Sequence, residues 1–199
     1  MRETTRTFIA IPLPDSIGQK LGRLQADLAP EVPGCRWTAS KPFHMTLAFL
    51  GDVRNSHLNE VCRAVTSAVE PFEPFDVQIE GVGTFPNPRK PRVIWAGLTA
   101  PDPRPLSDLR AAVVQAATGA GYRPDDPRFH PHVTLGRIKS ERAGGCDLTQ
   151  LLERHRDWSG GSFTVVEVVT FASTLDSRGA SYAPLCRGAL RSKKIESAH

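Results

Sequence analysis

Apolar and polar residues alternate in several short segments of the chain, a pattern that indicates strands with one buried face. Such segments, together with short apolar runs, cover residues 8–13, 43–50, 75–82, 92–98, 131–135, 163–170 and 182–190, and residues 35–38 are either a brief strand or an extended approach to the strand that follows. Between them, apolar residues recur every three or four positions, which predicts amphipathic helices at 17–28, 58–69, 106–117 and 148–153. The pattern predicts strands and helices interspersed along the chain, with a turn at Gly51-Asp52 after the third strand.

The order strand, helix, strand, helix, strand occurs twice along the chain. The interval from His44 to Phe75 is 31 residues, and the interval from His132 to Phe163 is also 31 residues. This spacing supports an internal duplication. If the two halves pack about a pseudo-two-fold axis, the strands that carry the histidines face each other across a cleft. In the alternative arrangement, each strand buries its histidine within its own lobe.

A short motif is repeated at the centre of each half. The first copy is His44-Met45-Thr46-Leu47 and the second is His132-Val133-Thr134-Leu135. Successive side chains of a strand point to opposite faces, so each histidine shares a face with the threonine two positions later. In the first copy the opposite, apolar face is predicted to consist of Phe43, Met45, Leu47 and Phe49. Each strand therefore places an imidazole and a hydroxyl where packing does not require them.

Two facing histidines suit a reaction in which one proton is removed and another is delivered. An imidazole with an ordinary pKa near 6.5 can be neutral or protonated at neutral pH, so one ring can act as general base and the other as general acid. The hydroxyls of Thr46 and Thr134 can donate hydrogen bonds to the non-bridging oxygens of a phosphate. In-line displacement at phosphorus needs the attacking and leaving oxygens on opposite sides of the phosphorus, and a histidine on each side can serve them. This mechanism does not require a metal. The residues alone do not assign the two roles.

A zinc site is the alternative explanation of the histidines. His130 and His132 are two positions apart and can share a strand face. Catalytic zinc usually takes three protein ligands, and neither motif has a carboxylate or cysteine at a suitable offset. The pattern therefore favours acid–base catalysis without metal.

Two further observations concern side chains that could contact a nucleotide. Arg137 follows Thr134 by three residues and could contact a phosphate, although strict alternation places it on the wrong face unless the strand ends at Gly136. Aromatic side chains could stack on a base. Those available lie in apolar runs, which favours packing in the core, and they are Phe8, Trp37 and Trp95.

Composition places the chain among ordinary globular proteins. Its 199 residues suffice for one domain, predicted to span 1–190 and to be followed by a flexible tail at 191–199. No apolar run approaches the roughly 20 residues that cross a bilayer, and the N-terminal apolar run is too short for a signal peptide, so the expected location is the cytoplasm, away from membranes. The four cysteines form no Cys-x-x-Cys pair, and the net charge of +4 is compatible with an anionic partner.

Taken together, these residues resemble the two-histidine (2H) phosphoesterase superfamily, and within it the bacterial RNA 2′,3′-cyclic phosphodiesterases, also called 2′-5′ RNA ligases. Beyond the two His-x-Thr-Leu motifs, the similar segments are residues 6–13, 36–37, 49–51, 92–95, 129–131 and 171–173, with Tyr182. The resemblance extends from about residue 6 to 190. Phe43, where the family usually has leucine, is the main departure.

The resemblance implies an α+β fold of two pseudo-symmetric lobes, each an antiparallel sheet with helices on its outer face, around a central cleft. It further implies hydrolysis of a 2′,3′-cyclic phosphate to a 2′-phosphate. His44 would be the proton donor and His132 the proton acceptor, Thr46 and Thr134 would hold the phosphate, and Arg137 would contact it.

The resemblance also bears on partners and cofactors. The expected substrates are RNA with 2′,3′-cyclic phosphate ends or small cyclic nucleotides, bound by a monomer that uses no cofactor or metal. The reverse reaction would give 2′-5′ RNA ligation. The competing hypothesis is a non-catalytic RNA- or nucleotide-binding module that uses the same cleft.

Overall fold

The computed structural model describes residues 3–38, 42–124, 129–138, 147–176 and 179–191. Its strands are β1 Thr4–Pro12, β2 Cys35–Trp37, β3 His44–Arg54, β4 Phe75–Phe85, β5 Val93–Thr99, β6 His132–Ile138, β7 Ser159–Val165, β8 Glu167–Asp176 and β9 Gly179–Ala189. Its helices are α1 Asp15–Leu28, α2 Leu58–Val69, α3 Arg104–Gly119 and α4 Thr149–Arg154. The predicted tail lies outside the described residues, apart from Arg191, and the domain boundary stays a prediction.

The strands form two antiparallel sheets. One sheet has the order β3-β1-β8-β9 and the other the order β2-β6-β5-β4-β7. Each sheet therefore contains one of the two His-x-Thr strands, β3 in the first and β6 in the second. The predicted α+β class, with two antiparallel sheets and helices, is confirmed.

The main core lies between the helices and the two sheets. The apolar stripe predicted for α1 is buried, and its members are Ile17, Leu21, Leu24 and Leu28. They join one apolar cluster with the inward residues of both sheets, among them Met45 of β3 and Val133 of β6. Full burial of a side chain of this size contributes about 1.5–3 kcal/mol. The His-x-Thr strands are thus anchored from behind by the helices, which leaves their other face for a site.

The two halves exchange elements. Helix α1 follows β1 of the four-stranded sheet, yet it packs against β6 and β7 of the five-stranded sheet. Conversely, α3 follows β5 of the five-stranded sheet and packs against β3 of the four-stranded one. Strand β4 leaves the first half and pairs with β5 and β7. The two equal 31-residue intervals end at Phe75 in β4 and Phe163 in β7, which are adjacent strands of the same sheet, since Phe75 pairs with Val165. The intervals do not end at symmetry-equivalent positions in the two sheets.

Two sequence-based boundaries are wrong. The single strand predicted at 163–170 is two strands, β7 and β8, and the chain passes from one sheet to the other at Val166. No glycine or proline marks that crossing. The turn predicted at Gly51-Asp52 is also absent, because β3 continues to Arg54 and Gly51 takes a positive φ of 70° beside an irregularity in the pairing with β1. Glycine tolerates that conformation inside a strand.

Candidate active site

The two His-x-Thr strands line one cavity between the sheets. The cavity has a volume of about 450 Å³, and His44, Thr46, His132 and Thr134 all contribute to its lining. Each of these four side chains is half-buried, whereas Met45 and Val133 between them are buried. The structure thus brings the four residues together across a cleft, and the arrangement in which each lobe buries its own histidine is wrong.

A β-bulge in β6 brings Arg137 into the same cavity. Thr134 pairs with Trp95 and Gly136 pairs with Ile94, so Leu135 has no residue opposite it on β5. The extra residue shifts the alternation by one position: Leu135 and Gly136 are both buried, and Arg137 is exposed to the cleft. The objection from strict alternation is therefore removed by a bulge, and the strand does not end at Gly136 but continues to Ile138.

The same bulge occurs in β3 and exposes Phe49. Thr46 pairs with Ala10 and Ala48 with Ile9, so Leu47 is the extra residue. Phe49, which the sequence pattern placed on the apolar face, instead lines the cavity and is 58% exposed. That prediction is wrong because alternation within one strand does not reveal how its partner pairs. The small residue after the leucine of each motif, Ala48 or Gly136, is the sequence feature that the two bulges share.

Each of the two histidine rings is hydrogen-bonded to the backbone carbonyl of the residue two positions before it, just ahead of its strand. His132 Nδ1 donates to the carbonyl of His130 at 2.7 Å, and His44 Nδ1 lies 3.3 Å from the carbonyl of Pro42. Because a carbonyl only accepts, Nδ1 carries the hydrogen in both rings. Nε2 of each ring is then the atom left for proton transfer, as acceptor when the ring is neutral and as donor when it is protonated.

Aromatic rings surround His44 closely. Its ring centre lies 4.9 Å from that of Phe8, 5.0 Å from Tyr182 and 5.9 Å from Phe171. Burial among these rings lowers the pKa of His44 below its ordinary value, and the hydrogen bond to Pro42 opposes the change without cancelling it. The neutral imidazole is therefore favoured at His44 when the cleft is empty.

Phe8, Trp37 and Trp95, the aromatic residues that could stack on a base, have different surroundings. Phe8 is only 4% exposed and packs beneath His44, while Trp37 is half-buried against the core. Trp95 is half-buried on β5, with its ring centre 4.6 Å from that of His130 and 6.3 Å from that of His132. The packing expected for Phe8 and Trp37 is confirmed.

A second layer behind the cleft supports the β6 bulge. The carbonyl of Leu135, the extra residue, accepts hydrogen bonds from Gln25 Nε2 at 2.7 Å and from the backbone N–H of Thr38 at 2.8 Å. Gln25 Nε2 also donates to the Thr38 carbonyl at 3.1 Å. The α1 helix therefore fixes the bulge that carries Arg137. Sequence reasoning missed Gln25, since nothing in a helical pattern reveals a carbonyl on another element.

The histidines of the second motif do not form a metal site with the described residues around them. The rings of His130 and His132 are 6.4 Å apart and tilted by 30°. Among the described residues, His, Cys, Asp and Glu side chains form no group of three that could ligate a metal ion.

None of the helices in the described ranges is both long and apolar enough to cross a membrane.

A cleft between two sheets, with a His-Thr pair on each side, defines the class of two-histidine phosphoesterases. Comparison with known families agrees, because the model of the LigT-like phosphoesterases matches the chain twice, at residues 11–95 and 98–182. The chain belongs to the LigT-like phosphoesterase family, a family of phosphodiester hydrolases. The two matched ranges also agree with the internal repeat.

Curated relatives are RNA 2′,3′-cyclic phosphodiesterases. The protein of Methanothermobacter thermautotrophicus is 31% identical over 180 residues, which are 90% of this chain and 96% of the relative. That of Archaeoglobus fulgidus is 32% identical over 183 residues, covering 90% and 97% of the two chains.

Among solved structures, that of E. coli LigT in apo form matches with a TM-score of 0.74 and 28% identity, covering 96% of this chain and 99% of the other. The structure of the same protein complexed with 3′-AMP matches with a TM-score of 0.74 and 29% identity, covering 94% and 99%.

Proposed function

We propose that this protein hydrolyses the 2′,3′-cyclic phosphate at the end of an RNA, or of a small nucleotide, to a 2′-phosphate. The observation that carries the proposal is the cavity in which two imidazoles, each held through Nδ1, share a lining with two threonine hydroxyls and one arginine. The curated relatives are RNA 2′,3′-cyclic phosphodiesterases, and the similar E. coli protein binds 3′-AMP, which agrees with this substrate class.

In the proposed reaction, His132 Nε2 accepts a proton from water as the water oxygen attacks phosphorus. The bond between phosphorus and the 3′ oxygen breaks on the opposite side, and protonated His44 delivers its Nε2 hydrogen to that oxygen. The products are a 2′-phosphate monoester and a free 3′-hydroxyl. His132 ends the cycle protonated and His44 neutral, and exchange of protons with solvent restores the starting state.

The remaining three side chains stabilise charge on the phosphate. The hydroxyls of Thr46 and Thr134 donate to non-bridging oxygens, and the Arg137 guanidinium supplies a charged donor where negative charge is concentrated. A bound phosphate also favours the protonated form of His44, because a nearby negative charge raises an imidazole pKa. Substrate binding thereby offsets the effect of burial and prepares His44 as the acid.

The same pair of histidines can serve ligation with the same division of roles. A 5′-hydroxyl takes the place of water, His132 accepts its proton, His44 protonates the departing 3′ oxygen, and a 2′-5′ linkage forms. This ligation is the microscopic reverse of cleaving a 2′-5′ linkage to a 2′,3′-cyclic phosphate and a 5′-hydroxyl. It requires an RNA end with a 5′-hydroxyl beside the cyclic phosphate, in place of solvent.

The test is phosphorus NMR of a short oligoribonucleotide with a 2′,3′-cyclic phosphate end, incubated with the purified protein in excess EDTA. We expect conversion to the 2′-monoester, and a loss of roughly 10²- to 10⁴-fold in rate for His44→Ala and for His132→Ala. Tyr122, whose hydroxyl hydrogen-bonds His57 away from the cleft, provides the control Tyr122→Phe, which should retain full activity.

Other outcomes would contradict the proposal. A 3′-monoester product would show that the wrong phosphorus–oxygen bond is assigned. Activity that EDTA abolishes would indicate a metal-dependent reaction. Binding of the oligoribonucleotide by the wild type without turnover would favour the non-catalytic binding module.

A further inference from the structure

Among the strands of the described residues, the short strand β2 has no counterpart in the other sheet. Strand β3 forms the edge of the four-stranded sheet, whereas its equivalent β6 is covered by β2 in the five-stranded sheet. The register places Arg36 of β2 directly opposite Arg137 of β6. Residues paired in this way project from the same face of a sheet, with Cβ atoms about 4.5–5.5 Å apart. The extra strand thus adds a second arginine beside the one in the cleft.

Burial agrees with that orientation. Cys35 and Trp37, the neighbours of Arg36 on β2, pack against the core, and Arg36 between them is exposed. Gly136 provides the space for this packing, because a Cβ there would lie 2.5 Å from Cys35 Sγ and 3.0 Å from Trp37 Cε3. The core side of β2 is therefore tightly seated, and its other side presents Arg36 beside the cavity.

Neither guanidinium group has its charge offset by an ion pair in the part of the chain that the structure describes. Within the described residues, neither Arg36 nor Arg137 has an ion pair or a hydrogen bond through its side chain. Like charges directly opposite each other on a sheet are destabilising. In the other sheet the cleft-lining arginine, Arg6, is paired in register with an acidic residue, Asp52. Two adjacent arginines that form no ion pair with any described residue are suited to contact two neighbouring phosphates.

We propose that Arg36 binds the phosphodiester on the 5′ side of the terminal nucleotide, while Arg137 contacts the cyclic phosphate. This inference rests on the proposed function. Because the cyclic phosphate is the 3′ end of the RNA, every other phosphate of the chain lies on its 5′ side. Arg36, at the sheet edge beyond Arg137, is placed for the first of them. The site is thereby selective for a nucleotide that carries a 5′-phosphate or continues into RNA.

The test compares three probes: adenosine 2′,3′-cyclic phosphate with a 5′-hydroxyl, the same nucleotide with a 5′-phosphate, and a short oligoadenylate ending in a 2′,3′-cyclic phosphate. For Arg36→Gln we expect kcat/KM to fall about tenfold for the second and third probes through KM, and to stay unchanged for the first. The salt dependence of KM for the oligoadenylate should weaken by about 0.7 in logarithmic slope, the contribution of one single-strand phosphate contact.

Two variants control the measurement. Arg63→Gln removes an exposed arginine from α2, outside the cleft, and should leave all three probes unaffected. Arg36→Lys keeps the charge and should retain most of the salt dependence. Thermal unfolding of Arg36→Gln should occur at a temperature no lower than that of the wild type, because the side chain is exposed and its removal relieves repulsion from Arg137.

Each remaining outcome has one meaning. If the wild type hydrolyses none of the probes, the proposed function fails and this inference fails with it. If the wild type hydrolyses all three and Arg36→Gln does so equally well, only the inference is wrong. An equal loss on all three probes would place Arg36 at the cyclic phosphate or in the fold. A loss on the oligoadenylate alone would place its contact further along the RNA.

Discussion

Phe49 and Arg137 occupy the same position in the two His-x-Thr strands, each the fifth residue after its histidine and each turned into the cleft by a one-residue bulge. The bulges are equivalent, but the side chains differ completely. One strand presents an aromatic face that is 58% exposed, and the other presents a guanidinium. The cleft therefore has two-fold backbone geometry and an asymmetric chemistry, as a substrate with a phosphate at one end and a base at the other requires.

Replacing Phe49 with alanine should weaken binding of the nucleoside part of the substrate. Stacking of a base on an aromatic ring contributes about 1–3 kcal/mol, so KM for a cyclic nucleotide should rise roughly 5- to 150-fold with little change in kcat. Inhibition by inorganic phosphate should be unaffected. Arg137→Met is the matched variant and should weaken phosphate inhibition. Equal effects of Phe49→Ala and Arg137→Met on phosphate inhibition would contradict the assignment of the base to Phe49 and of the phosphate to Arg137.

The acid and base roles can be separated with a substrate in which sulfur replaces the bridging 3′ oxygen. A thiolate leaves without protonation, so the acid is no longer needed. We expect His44→Ala to regain most of its lost rate on this substrate, relative to the wild type, and His132→Ala to regain none. Rescue of His132→Ala instead would reverse the two assignments. The comparison uses initial rates of thiol release.

The lowered pKa of His44 makes stability depend on pH. Since the folded-state pKa lies below the ordinary value of 6.5, the unfolded chain takes up the extra proton first as pH falls, and the folded protein loses stability below about that pH. Tm should therefore fall more steeply on acidification in the wild type than in His44→Gln, which cannot titrate. Identical pH dependence of the two proteins would show that His44 is not desolvated.

The same ring should respond to an anion in the cleft. In an NMR titration, inorganic phosphate should move the pKa of His44 upward, because the negative charge favours the imidazolium. The ring signals of His57, which is bonded to Tyr122 outside the cleft, should not move when phosphate is added at constant pH, and they serve as the internal reference.

Gln25 should act on the reaction through the β6 bulge. In Gln25→Met the Leu135 carbonyl loses its side-chain donor, which should cost about 1 kcal/mol in free energy of unfolding and raise KM for phosphate-containing substrates. Gln25→Met combined with Arg137→Met should raise KM no further than Arg137→Met alone. Gln19→Met, on an exposed position of the same helix, is the control. Additive effects on KM would mean that Gln25 does not act through Arg137.

Gly136 should not tolerate a side chain. A Cβ would meet Cys35 Sγ at 2.5 Å, and such overpacking typically costs about 1–3 kcal/mol. Gly136→Ala should therefore lower Tm and, by displacing β2, weaken binding of RNA ends. Gly22→Ala in α1, where a Cβ meets nothing within 4 Å, should instead raise stability by about 0.5–1 kcal/mol. Chemical denaturation of both variants provides the measurement.

Sequence periodicity was sufficient for the features that depend on one element at a time. It predicted the apolar stripe of α1 and the two strands with their His-Thr faces. It also predicted the cleft, as one of two possible arrangements of the halves. It failed wherever a residue's position depends on a partner strand. Phe49 was assigned to the core because alternation continues through Leu47, and the crossing at Val166 is hidden because an exposed valine looks like any strand residue. Bulges and sheet changes are properties of pairs of strands, which one strand's pattern does not contain.

The exchange of α1 and α3 between the sheets bears on the origin of the fold. A chain of half this length would contain one His-Thr strand and one helix that, in the present fold, packs on the sheet containing the other half's His-Thr strand. Such a chain could complete the architecture only as a swapped homodimer, in which each copy covers the sheet of the other. Joining two copies end to end would make that exchange intramolecular and would allow the two halves to differ at the position after the bulge, which is phenylalanine in one and arginine in the other. The asymmetric cleft is then the gain from fusing a symmetric dimer.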